Sequence, residues 1–230
     1  MGPIRPTTRA ALVLAALIAI GLAAATALAG VTVYKNGFSR KGEAKELRHA
    51  EGKHCKRRFR RKAGKLRIDV TRGPEVCGYR PPVEGDTDGP DHDLQVKAKF
   101  LRDTPKGLRK DAYVAVAVRS GKTSEYELRV FPVKHKFRLV RSPSGGGGDF
   151  PAQGKSSAIK GFNKPNVLGL KAVGSKVTAR VNGTKVAKAT DSNPAQVGGR
   201  KLEVAVGNGK RSPKTVSATI DNLKLQVPRP

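Results

Sequence analysis

The chain has 230 residues and a formal net charge of +28, from 46 Lys and Arg against 18 Asp and Glu. Glycine (26) and proline (15) are plentiful, aromatic residues make up 5%, and tryptophan is absent. This composition argues against a helical bundle and favours one domain of short strands joined by turns. The cationic excess predicts electrostatic adherence to polyanions, without identifying the polyanion.

The N-terminal segment has the composition of an export signal. Arg5 and Arg9 precede an apolar run over 10–29, which ends in the small residues of Ala27-Leu28-Ala29. A basic start, an apolar middle and a small-residue cleavage site predict a signal peptide over 1–29. The run is also long enough for an uncleaved membrane anchor. Either way we expect a single domain over 30–230 that works outside the cytoplasm, secreted or attached to the membrane only through this segment.

Export bears on the chemical state of the two cysteines, Cys55 and Cys77. An even pair in an oxidising compartment predicts one disulfide. Two isolated cysteines without clustered histidines argue against a zinc site, and pairing would consume a catalytic thiol.

A strongly basic segment begins next to the first cysteine. A short first strand is predicted over 31–35, and the segment 53–65 then carries eight Lys and Arg and no acid, which predicts an exposed loop. The candidate polyanion-binding residues are Lys56, Arg57, Arg58, Arg60, Arg61 and Lys62. The alternative is a generally basic surface without a dedicated ligand. Sequence-specific nucleic-acid readout is not expected, because the sequence shows neither a recognised module nor aromatic stacking platforms.

An acidic loop, 84–93, follows a predicted strand over 66–70. Asp86, Asp88 and Asp91 offer oxygen atoms of the kind that Ca²⁺ prefers. An EF-type loop also needs a distal Glu, and Pro90 occupies another ligand position, so a solvated turn is the alternative. No other cofactor is expected.

Alternating strands follow the acidic loop. Apolar residues recur at every second position over 94–100 and 126–130, and shorter alternation covers 136–141. The run 113–119 is nearly apolar on both faces, which predicts a central strand. The segment 142–154 is too rich in glycine for a strand and is expected to be a loop. About ten short strands without helical periodicity predict a β-sandwich.

Two local patterns near the C-terminus predict finer detail. Asn182-Gly183 between two strand patterns predicts a two-residue hairpin, with Arg180 opposite Lys185. In the last strand, the apolar positions change parity at Asp221-Asn222. A period-2 pattern that slips by one residue predicts a β-bulge at this point.

The order of these elements resembles a known superfamily. The stretches "SEYELRVFP" (124–132), "HKFRLVR" (135–141), "NVLGLKAVGSKVTARVNGTKVAKATDS" (166–192) and "ATIDNLKLQV" (218–227) are similar to those of concanavalin A-like lectin and glucanase domains. The resemblance is greatest to the laminin-G-like and 3-keto-disaccharide hydrolase branch found in exported bacterial proteins. It covers roughly 94–227 and implies an all-β antiparallel jelly roll, with one sheet presenting the binding surface.

Catalysis is not expected from the sequence. Glucanases of this superfamily resemble one another in an E-x-D-x-x-E strand, and this chain has none. Glu125, Glu127 and Arg129 share one strand face as carbohydrate-facing candidates, or as a solvated outer face. We therefore expect a non-catalytic binding or adhesion module for carbohydrate or an anionic cell-envelope polymer. The alternative function is a glycoside-processing hydrolase of the 3-keto-disaccharide hydrolase type.

Overall fold

The computed structural model describes residues 30–60, 64–83, 91–121, 124–144 and 148–227, and most of these residues are in strands. The strands are β1 (Val31–Asn36), β2 (Arg48–Glu51), β3 (Cys55–Arg60), β4 (Lys65–Val70), β5 (Gly73–Arg80), β6 (His92–Phe100), β7 (Ala112–Ser120), β8 (Glu125–Phe131), β9 (Lys136–Ser142), β10 (Asp149–Lys155), β11 (Asn166–Val173), β12 (Lys176–Val181), β13 (Thr184–Thr190), β14 (Lys201–Ser212) and β15 (Val216–Val227). One α-helix, α1 (Lys41–Glu46), and short 3₁₀ turns at Lys106–Leu108, Pro132–Lys134 and Pro194–Val197 complete the described elements.

The strands form two antiparallel sheets. The eight-stranded sheet has the order β13-β12-β11-β6-β15-β4-β3, with β1 also paired to β15. The seven-stranded sheet has the order β10-β9-β8-β7-β14-β5-β2. Inward side chains of both sheets meet in one continuous apolar core. This arrangement confirms the predicted all-β antiparallel sandwich.

Period-2 alternation determines which side chains enter the core. In β6 the apolar residues Leu94, Val96, Ala98 and Phe100 are buried, and the polar residues between them are partly exposed. Strand β7 is buried at every position, which confirms the prediction that it is central. Burial on both of its faces also means that its outward side chains are covered by neighbours.

The hairpin prediction is confirmed. Asn182 and Gly183 have φ angles of 51° and 84°, as a type I′ turn requires, and Arg180 pairs with Lys185. The Asn182 side chain also fixes the turn against the neighbouring chain. Its Nδ2 donates to the carbonyl oxygen of Ala158 at 2.7 Å, and its Oδ1 accepts from the backbone N–H of Val167 at 2.8 Å.

The bulge prediction is also confirmed. The register of β15 against β6 shifts between Asp221 and Lys224, and Asn222 has a φ angle of 49°. The extra residue lets Ile220 and Leu223 both face the core, where each is fully buried. One strand of twelve residues therefore keeps its apolar side inward along its whole length.

Two segments expected to be loops form strands instead. In the basic segment, β3 pairs with β4 at the edge of the eight-stranded sheet, with alternate residues partly buried. In the glycine-rich segment, β10 pairs with β9 at the edge of the other sheet. Edge strands tolerate charge and proline because one side of the backbone needs no partner strand. The charge of β3 and Pro151 in β10 are therefore compatible with pairing.

The predicted disulfide is present between Cys55 in β3 and Cys77 in β5, with an S–S distance of 2.00 Å. These strands belong to different sheets, so the bond joins the two layers of the sandwich. The predicted signal or anchor over 1–29 lies outside the described residues. Within the described ranges, no helix has the length and apolar character needed to cross a bilayer.

Candidate functional site

The outer surface of the seven-stranded sheet has a floor of small residues. Valines of β7 and β14 point into the core, so the residues between them point outward. These outward positions and their neighbours in β5 hold only small side chains at the centre of the sheet: Ala115, Ala117, Ala205, Gly207 and Gly78. Small residues at adjacent positions leave room above the strands for larger groups.

Two buried glutamates stand on either side of this floor. In the strand register, Ala117 of β7 lies opposite Glu127 of β8 and opposite Glu203 of β14. The two Cα atoms are therefore separated by two strand spacings, about 10 Å. Glu127 and Glu203 are only 4% and 5% exposed. The expected alternative of a solvated outer face is therefore wrong for Glu127, because neighbouring side chains cover its carboxylate.

Glu127 forms an ion pair with Arg129 on the same strand. The Arg129 Nη2 and Nε atoms lie 2.6 and 2.7 Å from Glu127 Oε2. Burial raises the pKa of Glu127, and the Arg129 guanidinium opposes that rise. The guanidinium also lies 5.3 Å from the ring centroid of Tyr113. The sequence-predicted pair thus forms a fixed, mostly desolvated unit and does not project into solvent.

The pKa of Glu203 is raised far above its ordinary range, although Arg80 Nε lies 3.4 Å from its Oε2 atom. Burial, followed by the charges of Glu51 and Glu125 and a hydrogen bond with Glu51, raises the pKa of Glu203 to about 8, although Arg80 opposes this. Gly78 makes the close approach of the carboxyl groups feasible. A Cβ atom at Gly78 would lie 1.8 Å from Glu203 Oε1 and 2.7 Å from Glu51 Cγ.

Glu125 is a third carboxyl group with a raised pKa. Burial, then the charges of Glu127 and Glu51, raises the pKa of Glu125 to about 7. We call the outer surface that carries Glu51, Glu125, Glu127 and Glu203 the acidic face. Perturbed carboxyl groups gathered above a small-residue floor are typical of functional sites.

One end of the acidic face is aromatic. The Tyr113 ring lies across Gly207, where a Cβ atom would be 2.1 Å from Tyr113 Cζ, and it packs 5.2 Å from the Phe131 ring. A depression of about 370 Å³ opens beside it, lined in part by Tyr113, Val76 and Glu51. Carboxylates that accept hydrogen bonds from hydroxyls, next to an aromatic surface, are chemically suited to a sugar.

The structure divides the predicted polyanion-binding residues between two faces. Lys56, Arg58 and Arg60 point outward from β3. Arg57 points the other way, donates to the carbonyl oxygen of Leu47 and lies 5.4 Å from the Tyr79 ring centroid. The last two candidates, Arg61 and Lys62, lie outside the described residues. Arg57 therefore acts in packing the sandwich, because its guanidinium is committed to an internal carbonyl and ring.

The calcium candidates are only partly described. Asp86 and Asp88 lie outside the described residues. Asp91 accepts hydrogen bonds from Arg119 Nη2 at 2.8 Å and from the backbone N–H of Gly174 at 2.9 Å. These bonds give Asp91 a structural role between β7 and the β11–β12 turn. Over the described ranges, no group of three or more His, Cys, Asp or Glu is arranged to hold a metal ion.

A cavity of about 280 Å³ lies at the rim of the sandwich, near β9, β10 and β13. Asp191 at its wall accepts hydrogen bonds from Tyr126 Oη and from Arg141 Nε, the latter at 2.8 Å. Burial raises the pKa of Asp191, but these hydrogen bonds outweigh burial and hold it below its usual range. The Asp191 carboxylate, the Tyr126 hydroxyl and the Arg141 guanidinium satisfy one another's hydrogen bonds and connect the two sheets at this end.

Sequence reasoning identified Glu125, Glu127 and Arg129 and missed Glu203 and Glu51. Glu203 had a local signal, because it is the one charged residue in the run 202–207. Its role depends on the pairing of β14 with β7 and β5, which no local pattern reveals. Glu51 lies on a four-residue strand with no recognisable alternation.

Comparisons with known proteins identify the fold and no family. No family model matches the chain, and no curated protein matches its sequence. Among solved structures, a galectin-like protein from Bacillus subtilis is similar with a TM-score of 0.63 and 12% identity, over 87% of this chain and 97% of that one.

Two further structures have the same architecture. The carbohydrate-binding module CBM66 from Bacillus subtilis gives a TM-score of 0.56 and 15% identity, over 79% of this chain and 95% of that one. A laminarinase from Flavobacterium sp. UMI-01 gives a TM-score of 0.59 and 13% identity, over 85% of this chain and 100% of that one. These neighbours are galectin-like and concanavalin A-like jelly rolls. At such identities they establish the fold alone.

Proposed function

We propose that the protein is a non-catalytic carbohydrate-binding module that works outside the cytoplasm and binds its ligand on the acidic face. The observation that carries this proposal is the pair of buried glutamates, Glu127 and Glu203, on either side of Ala117. Burying acids on the outer side of a sheet is costly unless their hydrogen bonds are satisfied. Functional sites commonly retain groups whose burial costs stability, so this arrangement favours a binding site.

Three further observations support it. The sequence pattern of 1–29 and the Cys55–Cys77 disulfide are typical of an exported protein. CBM66, a structural neighbour, is by its name a carbohydrate-binding module. The aromatic end of the acidic face offers Tyr113 and Phe131 beside a depression large enough for a sugar unit.

A glycan array with the purified protein, followed by calorimetry on the best ligand, tests the proposal. Ala117→Leu fills the floor without removing any charge, because Ala117 separates the two glutamates. We expect this variant to bind the selected glycan at least about tenfold more weakly, a loss of about 1.4 kcal/mol.

The matched control is Ala195→Leu, at an exposed position in the 3₁₀ turn Pro194–Val197, outside the outer surfaces of both sheets. It adds an apolar side chain of the same kind, and we expect it to leave the affinity unchanged. If Ala117→Leu binds the glycan as tightly as the wild type, the ligand does not lie on the acidic face.

A second candidate function is glycoside hydrolysis, and the raised pKa values of Glu203 and Glu125 favour it. A glycosidase needs one carboxylic acid that keeps its proton near neutral pH and a second, ionised carboxylate. Glu203, at about 8, has the property of the first, and Glu127 is the candidate for the second. Against this candidate, the Glu127 carboxylate is engaged by Arg129 at 2.6 Å, and the E-x-D-x-x-E strand is missing.

Turnover assays on β-glucans and on 3-keto-glycosides separate the two functions. The binding module predicts no product above the uncatalysed rate from the wild type. Hydrolysis by the wild type that is lost in Glu203→Gln but retained in Asp149→Asn, a variant of an exposed acid, would overturn the non-catalytic proposal. Asp149 lies on the edge strand β10.

A further inference from the structure

The outer surface of the eight-stranded sheet is rich in cationic side chains. Its outward positions follow from the register of β3, β4, β15, β6, β11, β12 and β13, whose intervening residues enter the core. We call this surface the basic face. Its outward cationic side chains include Lys56, Arg58, Arg60, Lys65, Arg67, Lys97, Lys99, Lys171, Lys176, Arg180, Lys185, Lys188 and Lys224.

Few acids on the described part of the basic face oppose this charge: Asp69, Asp93 and Asp221, of which Asp69 and Asp221 are engaged by cations. Asp69 is 1% exposed and lies 2.5 Å from Arg58 Nη2 and 2.6 Å from Arg67 Nε. Asp221 lies 4.0 Å from Lys65 Nζ. Among the described residues, no ion pair involves Lys97 or Lys99. The face therefore keeps a net positive field that is available to a ligand.

The lysines surround a depression at the centre of the basic face. It has a volume of about 120 Å³ and is lined by Lys65, Lys97, Lys99, Thr219, Asp221 and Pro165, with Ala98 beneath. The register explains the grouping. Thr219 lies opposite both Lys99 and Arg67, and Asp221 lies opposite Lys97, so cations of β4 and β6 flank the polar side chains of β15.

Cationic groups recur across this surface at strand intervals. Arg58, Arg67, Thr219 and Lys99 form one row over four adjacent strands, and the neighbouring row contains Arg60, Lys65, Asp221 and Lys97. The cations of β3 and β4 are therefore about 4.8 Å apart at the backbone, and the cations of β4 and β6, which flank β15, are about twice that distance apart. One pyranose unit has a length comparable to the shorter distance.

We propose that the basic face docks a linear anionic glycan that carries one carboxylate on each sugar unit, with a charged group of the chain seated in the depression between Lys65, Lys97 and Lys99. The glycan runs across the strands along one row, so that its carboxylates meet the cationic side chains of β3, β4 and β6. None of the outward positions named for this face is aromatic, so it offers no platform for stacking bases. This surface is separate from the acidic face and does not depend on the function proposed there.

Binding to immobilised polygalacturonate, measured over a range of salt concentrations, tests the proposal. The test variant is Lys65→Gln/Lys97→Gln/Lys99→Gln. We expect the variant to bind at least about tenfold more weakly at low salt, since three cationic contacts are lost together. We also expect a shallower dependence of the affinity on salt, because fewer ions are released on binding. Lys→Arg replacements at the same three positions should restore binding, since they keep the charge.

The matched control, Lys106→Gln/Lys110→Gln/Lys155→Gln, removes the same net charge from exposed positions outside the basic face. We expect it to keep most of the affinity. An equal loss in both triple variants would show that net charge alone governs binding, and this would overturn the proposal. Equal or tighter binding of duplex DNA or of phosphatidylglycerol vesicles at these lysines would assign the face to another class of partner. Equal binding of neutral dextran would also contradict it.

Discussion

The Glu203 carboxyl group couples the stability of the fold to pH. Its pKa in the folded protein is about 8, against an ordinary value of 4.5. Between these values the folded protein holds a proton that the unfolded chain has released, so its free energy of unfolding falls as the pH rises. Glu125, raised to about 7, acts in the same direction. The depressed pKa values of Asp69 and Asp191 affect the free energy of unfolding only at pH values below this range.

We therefore expect the Tm of the wild type to fall between pH 5 and about 8.5. Glu203→Gln cannot ionise, so its Tm should fall less over this range and exceed that of the wild type at the upper end. Thermal unfolding followed by circular dichroism measures both. Asp149→Asn, which removes an exposed carboxylate, should keep the pH dependence of the wild type. A Glu203→Gln variant with that same dependence would show that the Glu203 proton is not coupled to folding.

At the scale of elements, the Cys55–Cys77 bond fastens the edge strand β3 to β5 in the opposite sheet. Strand β3 pairs with only one neighbour, β4, and every second residue of it is exposed. Its attachment therefore depends on the disulfide, on Phe59 and on the contacts of Arg57. The basic face begins at this strand, so the disulfide also positions Arg58 and Arg60.

Cys55→Ser/Cys77→Ser should lower the free energy of unfolding by about 3 kcal/mol, the loop-closure entropy for this separation. Urea titration of the double variant against the wild type measures the difference. We also expect faster amide exchange in β3 than in β6, since the freed edge strand opens locally. Unchanged exchange in β3 would mean that its packing alone holds it in place.

Sequence patterns predicted elements well where the controlling interactions are local. The Asn182-Gly183 turn and the parity change at Asp221-Asn222 each depend on a few consecutive residues, and both are present. Strand β3 escaped prediction because charge hid its alternation. Arg57 occupies an inward position that an apolar residue would normally fill, and its guanidinium reaches the Tyr79 ring and a backbone carbonyl.

The acidic face was predictable only in part, for a related reason. Glu125, Glu127 and Arg129 lie on one strand and share a parity that the sequence displays. The burial of Glu127 and the approach of Glu203 and Glu51 require β2, β5, β7, β8 and β14 to lie side by side. Pairings between strands far apart in the chain set these distances, and single-strand periodicity carries no information about them.

At the scale of the whole molecule, the sandwich separates a strongly cationic surface from one whose acids are buried and paired. Its sheets stack about 10 Å apart, so the basic and acidic faces point in opposite directions. On the acidic face Glu127 is paired with Arg129, and Glu203 lies 3.4 Å from Arg80 Nε, so a polyanion is attracted mainly to the basic face. Docking on an anionic polymer therefore orients the molecule with Glu127 and Glu203 away from the polymer, where a second ligand has access to them.

This orientation can be measured with a fluorophore attached to one introduced cysteine. Thr178→Cys places the label on the basic face, and Gln153→Cys places it on exposed β10 of the other sheet. We expect saturating polygalacturonate to shift the emission and restrict quencher access at position 178, with little change at position 153. Roughly 0.5 M salt should reverse the effect, because the Debye length then falls to a few Å. Equal protection of both labels would show that the molecule docks without a preferred face, because a uniformly attractive surface would bring positions 153 and 178 against the polymer equally often.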